Sequence, residues 1–463
     1  MRFSASARQN LLLGAGPLAA VLVAWLARTA WGLEPPAAAV AAVTAWCAVW
    51  WLTEALPIAI TSLLPLAVLP LFGALSPNQV AQSYGSPLIL LLLGGFMLSG
   101  ALARSGAHRR LAMAMIRACA RLGRRGLVLG FMLAAATLSM WISNTATTLM
   151  LLPVALAVLE DPRLRALALP LLLGTAYAAS LGGTGTPIGT PPNLIYMQVS
   201  QDQFGLQTSF PMWMSWGLPI VVLVLPLMFL WLTRRVEAGP LPELEVASTW
   251  STAERRLIAL LALVAMAWMT RTAPFGGWQG RLDLPYANDA AVALLAVVVA
   301  CMISDGKGGR LLDWETAGNI PWGVLLLFAG GITIARGFME TGLSDSLAAQ
   351  LIVLATLPTW LMVLCICLGV TFLTEVTSNT ATTSLLMPVL AATAVATGIR
   401  PELLMVPAAI SASCAFMLPV ATAPNAVIYG SGRVGIREMA REGLVINLIA
   451  AAVITAVISL RFG

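Results

Sequence analysis

Twice in this chain a serine, an asparagine and a threonine stand side by side inside an apolar stretch, as Ser143-Asn144-Thr145 and as Ser378-Asn379-Thr380. Polar groups left unpaired in hydrocarbon lose their hydrogen bonds to water, so something polar must meet them there. Hydroxyl, amide and carbonyl oxygens suit a small hard cation. Free backbone N–H groups at the start of a helix, with the positive end of its dipole, suit an anion. Each triplet is followed by a break, rich in glycine, threonine and proline in the first copy and carrying Pro419, Thr422 and Pro424 in the second. The first reads Gly182-Gly183-Thr184-Gly185-Thr186-Pro187-Ile188-Gly189-Thr190-Pro191-Pro192-Asn193, and its partner lies at 419–425. Glycine and proline at this density unwind a helix, and unwound backbone at membrane depth persists only where it lines a cavity or is buried in protein. The four segments carry no lysine, arginine or histidine. An anion's charge would be met by dipoles, hydroxyls, amides and co-bound cations, which makes anion binding depend on a cation. Glu375 is the exception of opposite sign, placed either near a cation or against neighbouring backbone.

The elements that must hold these residues are hairpins. The first triplet lies between apolar arms at 127–142 and 149–159, the second between 371–377 and 384–395. Such arms are too short to cross a bilayer with their own loops, so a re-entrant helical hairpin with the polar triplet at its tip fits best. The setting is lipid: 59% of the 463 residues are hydrophobic and 10% charged, with a mean hydropathy of +0.88. Apolar stretches recur at 11–31, 37–56, 88–102, 212–232, 257–269, 290–303 and 444–460, which a solitary N-terminal signal peptide cannot explain. The net charge of +6 comes from arginines in short clusters between the spans. They read as orientation signals and not as a nucleic-acid surface. The six cysteines lack zinc-ligand spacing, and the single histidine, His108, sits in an arginine-rich loop. With neither a nucleophile–base pair nor a metal triad, a membrane-embedded enzyme lacks support.

The chain also repeats itself. Ser143-Asn144-Thr145-Ala146-Thr147-Thr148 recurs identically as Ser378-Asn379-Thr380-Ala381-Thr382-Thr383, and Pro192-Asn193 recurs at nearly the same spacing as Pro424-Asn425. Leu93-Gly94-Gly95-Phe96-Met97 precedes the first triplet as Phe328-Ala329-Gly330-Gly331-Ile332 precedes the second. The predicted organisation is an extra transmembrane helix in 1–36, a first repeat at 37–236, a cytoplasmic linker at 237–254 and a second repeat at 255–463. Five spans per repeat, with each hairpin entering and leaving on one side, give the repeats inverted topology. Of the 26 basic residues, this drawing leaves only Arg28, Arg271, Arg281, Arg336, Arg400 and Arg461 outside the cytoplasm. The N-terminus is then cytoplasmic and the C-terminus external. Residues 107–122, with Arg109, Arg110, Arg117 and Arg121 among apolar residues, fit an interfacial helix or a solvated basic one.

Trp51-Leu52-Thr53-Glu54-Ala55-Leu56-Pro57, the paired Ser-Asn-Thr motifs and the paired Pro-Asn breaks resemble the divalent anion:sodium symporter family, the INDY-like carboxylate transporters, over nearly the whole chain. The resemblance implies an all-α protein of the inner (plasma) membrane with about eleven transmembrane helices, two re-entrant hairpins and two discontinuous helices. It also implies a homodimer in lipid whose transport part carries the site past a scaffold part in an elevator-like movement. Carried over by motif, one sodium ion would meet Ser139, Ser143, Asn144 and the Gly189 carbonyl, and a second would meet Thr374, Thr377, Asn379 and the Ala421 carbonyl. A di- or tricarboxylate would meet Ser143, Asn144, Thr145 and Thr190 from one repeat and Ser378, Asn379, Thr380 and Thr422 from the other. Sodium-coupled import of C4-dicarboxylates such as succinate, malate or fumarate is the activity implied. Exchange, or transport of citrate, tartrate or sulfate, would use the same scaffold, and an anion channel is a further alternative. Ala423 stands where the family usually has a proline, as at Pro191, which bears on the preferred substrate.

Overall fold

A computed structural model describes residues 5–237, 239, 241, 250–272, 276–343 and 357–463. Most of the predicted linker 237–254 lies outside the described residues, as does Arg2. The described residues form helices and the turns between them, with one isolated bridge between Ser304 and Arg310.

Among the described residues, eight helices are long and apolar enough to cross a membrane: Gln9–Thr29, Pro35–Thr53, Pro77–Ser105, Arg165–Gly185, Phe210–Thr233, Trp322–Glu340, Asn379–Thr397 and Ile436–Phe462. The apolar stretch expected at 290–303 forms a shorter helix, and so does 58–71, which hydropathy did not single out. Ile58–Leu71 holds Pro65 and Pro70 and is divided at Ser62. The 14 residues of Asp289–Met302 reach only ~21 Å at the α-helical rise. In the other direction, Asn379–Thr397 is 19 residues long, longer than the arm expected at 384–395. Its polar first turn is helical too, since Thr383 Oγ1 donates to the Asn379 carbonyl at 2.7 Å.

Burial separates the helices. In Arg165–Gly185 83% of the best window is buried, against 17% in Gln9–Thr29. A helix that is apolar all round and buried belongs at the centre of a bundle. The first arm of the first hairpin, Gly123–Ser139, lies almost backbone to backbone on this central helix, because a Cβ at Gly182 would collide with the Ala136 carbonyl. Two groups of helices emerge from the packing. Residues 123–233 and 359–462 pack around the central helix, and Pro35–Thr53, Pro87–Ser105, Thr252–Met269, Asp289–Met302 and Trp322–Glu340 form the other group, with Trp322–Glu340 also packing on Pro191–Phe204 and Asn379–Thr397. Both groups draw on both halves of the chain.

The arginines form a network at one set of loops. Arg104 pairs with Asp313 and donates to Thr316 Oγ1 at 3.0 Å. Arg110 meets Glu254 at 2.9 Å, Arg125 donates to the Val236 carbonyl at 3.0 Å, and Arg256 donates to the Ser304 carbonyl at 2.7 Å. The Thr316 backbone N–H, then Arg104, hold the Asp313 carboxyl down at about 2. Ala107–Ala120 is the arginine-bearing helix expected at 107–122. It buries Ala107, Ala112 and Ile116 while Arg109 and Arg117 stay exposed.

Arg271, Arg336 and Arg400, three of the arginines set apart from that network by sequence, have structural partners. Arg336 reaches Gln82 at 2.9 Å, and Arg400 lies over the Phe462 ring. Arg271 meets Asp289 at 2.6 Å, Gln279 at 2.9 Å and the Ala287 carbonyl at 3.3 Å, with both members of the ion pair largely buried. Removing one partner of a buried pair leaves the other charge uncompensated. Arg271→Ala is therefore expected to cost about 3–5 kcal/mol of stability, read as a lowered unfolding midpoint in detergent.

Candidate functional site

Each hairpin turns at its polar triplet. In the first, Gly123–Ser139 ends in a turn closed by bonds from Trp141 N and Ile142 N to the Leu138 carbonyl, and Ser143 caps Asn144–Leu159 by accepting from Ala146 N at 3.2 Å. In the second, Ser378 stands at the cap of Asn379–Thr397 with its hydroxyl unused for capping. One bond recurs behind both tips: Ser139 Oγ donates to Asn144 Oδ1 at 2.5 Å, and Thr374 Oγ1 donates to Asn379 Oδ1 at 2.9 Å. The donors and the acceptors occupy equivalent positions when the two triplets are aligned.

The breaks repeat as closely. Asn193 Nδ2 donates to the carbonyls of Gly183 at 3.0 Å and Thr186 at 2.7 Å. Asn425 Nδ2 donates to those of Ala415 at 3.1 Å and Leu418 at 3.0 Å, ten and seven residues back in each case. Each asparagine thus satisfies carbonyls that the broken helix has released. Sequence reasoning placed these residues in the breaks without assigning them this role. The signal was present, since a buried amide with donors to spare is what an unwound turn needs. The paths also differ. The first break continues as Ala168–Gly182 and one 3₁₀ turn, Gly183–Gly185, whereas the second leaves its helix, Pro401–Ser411, earlier.

The halves cross over. Asn144–Leu159 packs against Ala423–Gly430, and Pro191–Phe204 packs against Asn379–Thr397. Thr190 Oγ1 lies 3.3 Å from Ser413 Oγ, so the two breaks touch. This brings the four segments around one cavity of about 920 Å³. Ser143, Asn144, Thr145, Gly189, Thr190, Thr377, Ser378, Asn379, Thr380, Ala421 and Thr422 all line it. Ser139 and Thr374 stand behind the wall, fully buried, bonded to the two asparagines.

Four helices begin at this cavity, and their N-cap residues, Ser143, Thr190, Ser378 and Thr422, are all in its lining. Each helix start is equivalent to about half a positive charge, so four together supply about two units, the charge of a dianion. Among the described lining residues Glu54 alone is ionisable. It ends Pro35–Thr53 in a left-handed conformation at φ 49°, a position that usually takes glycine or asparagine. That backbone state left no trace in the sequence pattern.

Two places offer oxygens to a cation. A Cβ built on Gly183 would lie 2.6 Å from Asn144 Oδ1 and 3.0 Å from the Gly189 carbonyl. The glycine therefore keeps open a space that these oxygens share with the neighbouring Ser139 hydroxyl. In the second half Thr374 Oγ1 joins Asn379 Oδ1 to the Ala412 carbonyl at 3.1 Å, and Thr377 Oγ1 lies 2.5 Å from Thr382 Oγ1. Neutral oxygen sets of this kind suit a weakly held hard cation. Glu375, the charge left with two readings by the sequence, bonds to backbone. Its carboxylate accepts from Met417 N and Leu418 N, each at 2.9 Å.

Known proteins similar to this chain are transporters. Residues 48–402 match the family model described as citrate transporter. A protein named sodium-dependent dicarboxylate transporter SdcS from Staphylococcus saprophyticus is 37% identical over 90% of this chain and 85% of its own length. The protein of that name from Staphylococcus aureus is 38% identical over the same shares. Among solved structures, the fold is similar to the YdaH transporter of Alcanivorax borkumensis, with a TM-score of 0.60 and 17% identity over 83% of this chain and 88% of that one. MtrF of Neisseria gonorrhoeae gives 0.58 and 14%, over 83% of each chain.

Proposed function

This chain belongs to the divalent anion:sodium symporter family of carboxylate transporters, and on that premise we propose that it imports C4-dicarboxylates such as succinate, malate or fumarate together with sodium ions. It is a multi-pass membrane transporter and not an enzyme. The observation that carries the proposal is the convergence of four helix N-termini on one cavity without a cationic side chain among its described lining residues. In this reading the carboxylates are met by Ser143, Asn144, Thr145 and Thr190 from one half and by Ser378, Asn379, Thr380 and Thr422 from the other.

Sodium is cargo with a structural part to play. One ion is held by Ser139, Ser143, Asn144 and the Gly189 carbonyl, and another by Thr374, Thr377, Asn379 and the Ala421 carbonyl. Bound there, the ions add positive charge to the walls and fix the tips, so substrate affinity depends on them. The two packing groups, one carrying all of the residues assigned to substrate and sodium and the other lining the rest of the cavity, support movement of the first group against the second in an elevator-type cycle. The reading further includes a homodimer in the inner (plasma) membrane, with the arginine network and the N-terminus on the cytoplasmic side and the C-terminus outside.

Reconstituted carrier is expected to take up labelled succinate with external sodium and to lose that uptake when choline replaces it. Equal uptake in the two salts would overturn the proposal. A second reading, transport of a larger tricarboxylate, is favoured by one observation: Ala423, exposed in the cavity wall, fills less space than the proline opposite it in the first half. Competition by citrate against labelled succinate distinguishes the two.

A further inference from the structure

Glu375 follows Thr374 at the turn of the second hairpin and is 3% exposed. Its Oε1 accepts from Met417 N at 2.9 Å and from Asn447 Nδ2 at 2.7 Å, and its Oε2 accepts from Leu418 N at 2.9 Å. Asn447 Oδ1 in turn accepts from Phe416 N at 3.1 Å. An ionised carboxylate offers only acceptors, and all three groups that meet it are N–H donors. Among the described residues no lysine or arginine forms an ion pair with it. The clasp ties the hairpin turn to the unwound loop and to the helix Ile436–Phe462, which carries Asn447.

The first half has no carboxylate to match. Aligning the two Ser-Asn-Thr copies sets Met140 against Glu375, and aligning the two Pro-Asn breaks sets Ser215 against Asn447. There the turn is tied to its break by a neutral bond, from Thr186 Oγ1 to the Met140 carbonyl at 2.6 Å. Two oxygen sets that match bond for bond, Ser139–Asn144 and Thr374–Asn379, thus differ by one full negative charge next to the second.

We propose that Glu375 is a positioning residue that makes the cation site of the second half the tighter of the two, and so the first to fill. It acts in two ways: it holds the backbone leading to the Ala421 carbonyl in place, and its charge attracts the ion held by Thr374 and Asn379. A unit charge beside a cation site raises the ion's affinity about tenfold or more even at the high effective dielectric found in proteins. The inference rests on the sodium-coupled reading above.

The test is a sodium titration of thermal stability on the purified full-length carrier, with choline chloride keeping ionic strength constant. Wild type is expected to be stabilised in two stages, a tight one and a weaker one. Glu375→Gln and Glu375→Met, the second copying the residue of the first half, should lose the tight stage, raising the half-stabilising sodium concentration about tenfold or more. Asn447→Ala removes one donor and keeps the charge, and should move that concentration much less. Neutral variants titrating like wild type, or Asn447→Ala losing as much as Glu375→Gln, would overturn the assignment while leaving sodium coupling intact. A wild type that sodium does not stabilise would overturn the sodium-coupled reading itself, and this inference with it.

Discussion

Asn144→Ala carrier, purified folded and placed in liposomes, is expected to show no sodium-dependent dicarboxylate uptake above background, and Asn379→Ala the same. Each asparagine combines two roles that no neighbour can assume. Its side-chain oxygen is bonded from behind by a buried hydroxyl, Ser139 or Thr374, and the residue lines the cavity where four helix N-termini converge. On the proposed reading alanine removes a cation ligand and a carboxylate donor together, and it leaves a buried hydroxyl without that partner. Loss of a supporting group alone typically costs about 10–100-fold at a metal site, so loss of a ligand should reduce uptake by about 100-fold or more. Folding should survive. Both residues begin their helices, alanine is a better helix former than asparagine, and the side chains face a cavity and not the core. Wild-type uptake by either variant would remove the residues assigned to the site.

What could be read from the sequence follows from cost. Ser143-Asn144-Thr145 and its copy stood out because hydroxyls and amides among apolar residues have to be met by something, and the glycine–proline runs stood out because no helix passes through them. The repeat was legible as a nearly constant spacing between matching motifs, and the matching asparagines make matching bonds, Asn193 and Asn425 each reaching back ten and seven residues. The crossing of halves was not legible. That Asn144–Leu159 meets Ala423–Gly430, and Pro191–Phe204 meets Asn379–Thr397, is decided by packing between segments far apart in the chain, which local periodicity does not encode. Nor could helix length be read from hydropathy alone. Asn379–Thr397 extends back through its threonines because Thr383 returns its hydroxyl to the backbone. Arg271 looked like an exception to a charge rule and is the partner of a buried aspartate.

The difference between reading a repeat and seeing it is sharpest at Gly183. Aligning Pro192-Asn193 with Pro424-Asn425 makes Ala415 its counterpart, so the sequence alone would pass Gly183→Ala as a change the other half already carries. The chain paths say otherwise. The first break runs one 3₁₀ turn further before it unwinds, and this turn presses Gly183 against the tip of its own hairpin. A Cβ there would lie 2.6 Å from Asn144 Oδ1, 3.2 Å from Asn144 Nδ2 and 3.0 Å from the Gly189 carbonyl. Asn144 is held from the far side by Ser139, and the carbonyl belongs to backbone pinned between Thr186 and Thr190, so the methyl occupies the space the first cation would need. Gly183→Ala is expected to lower uptake by about 100-fold, on the scale of losing a metal ligand, and to erase the weaker stage of sodium stabilisation while the tight stage persists. Gly369→Ala is the control, because nothing lies within 4 Å of its Cβ and alanine favours the helix. If Gly183→Ala transports and titrates as Gly369→Ala does, the first cation is not held between Asn144 and Gly189.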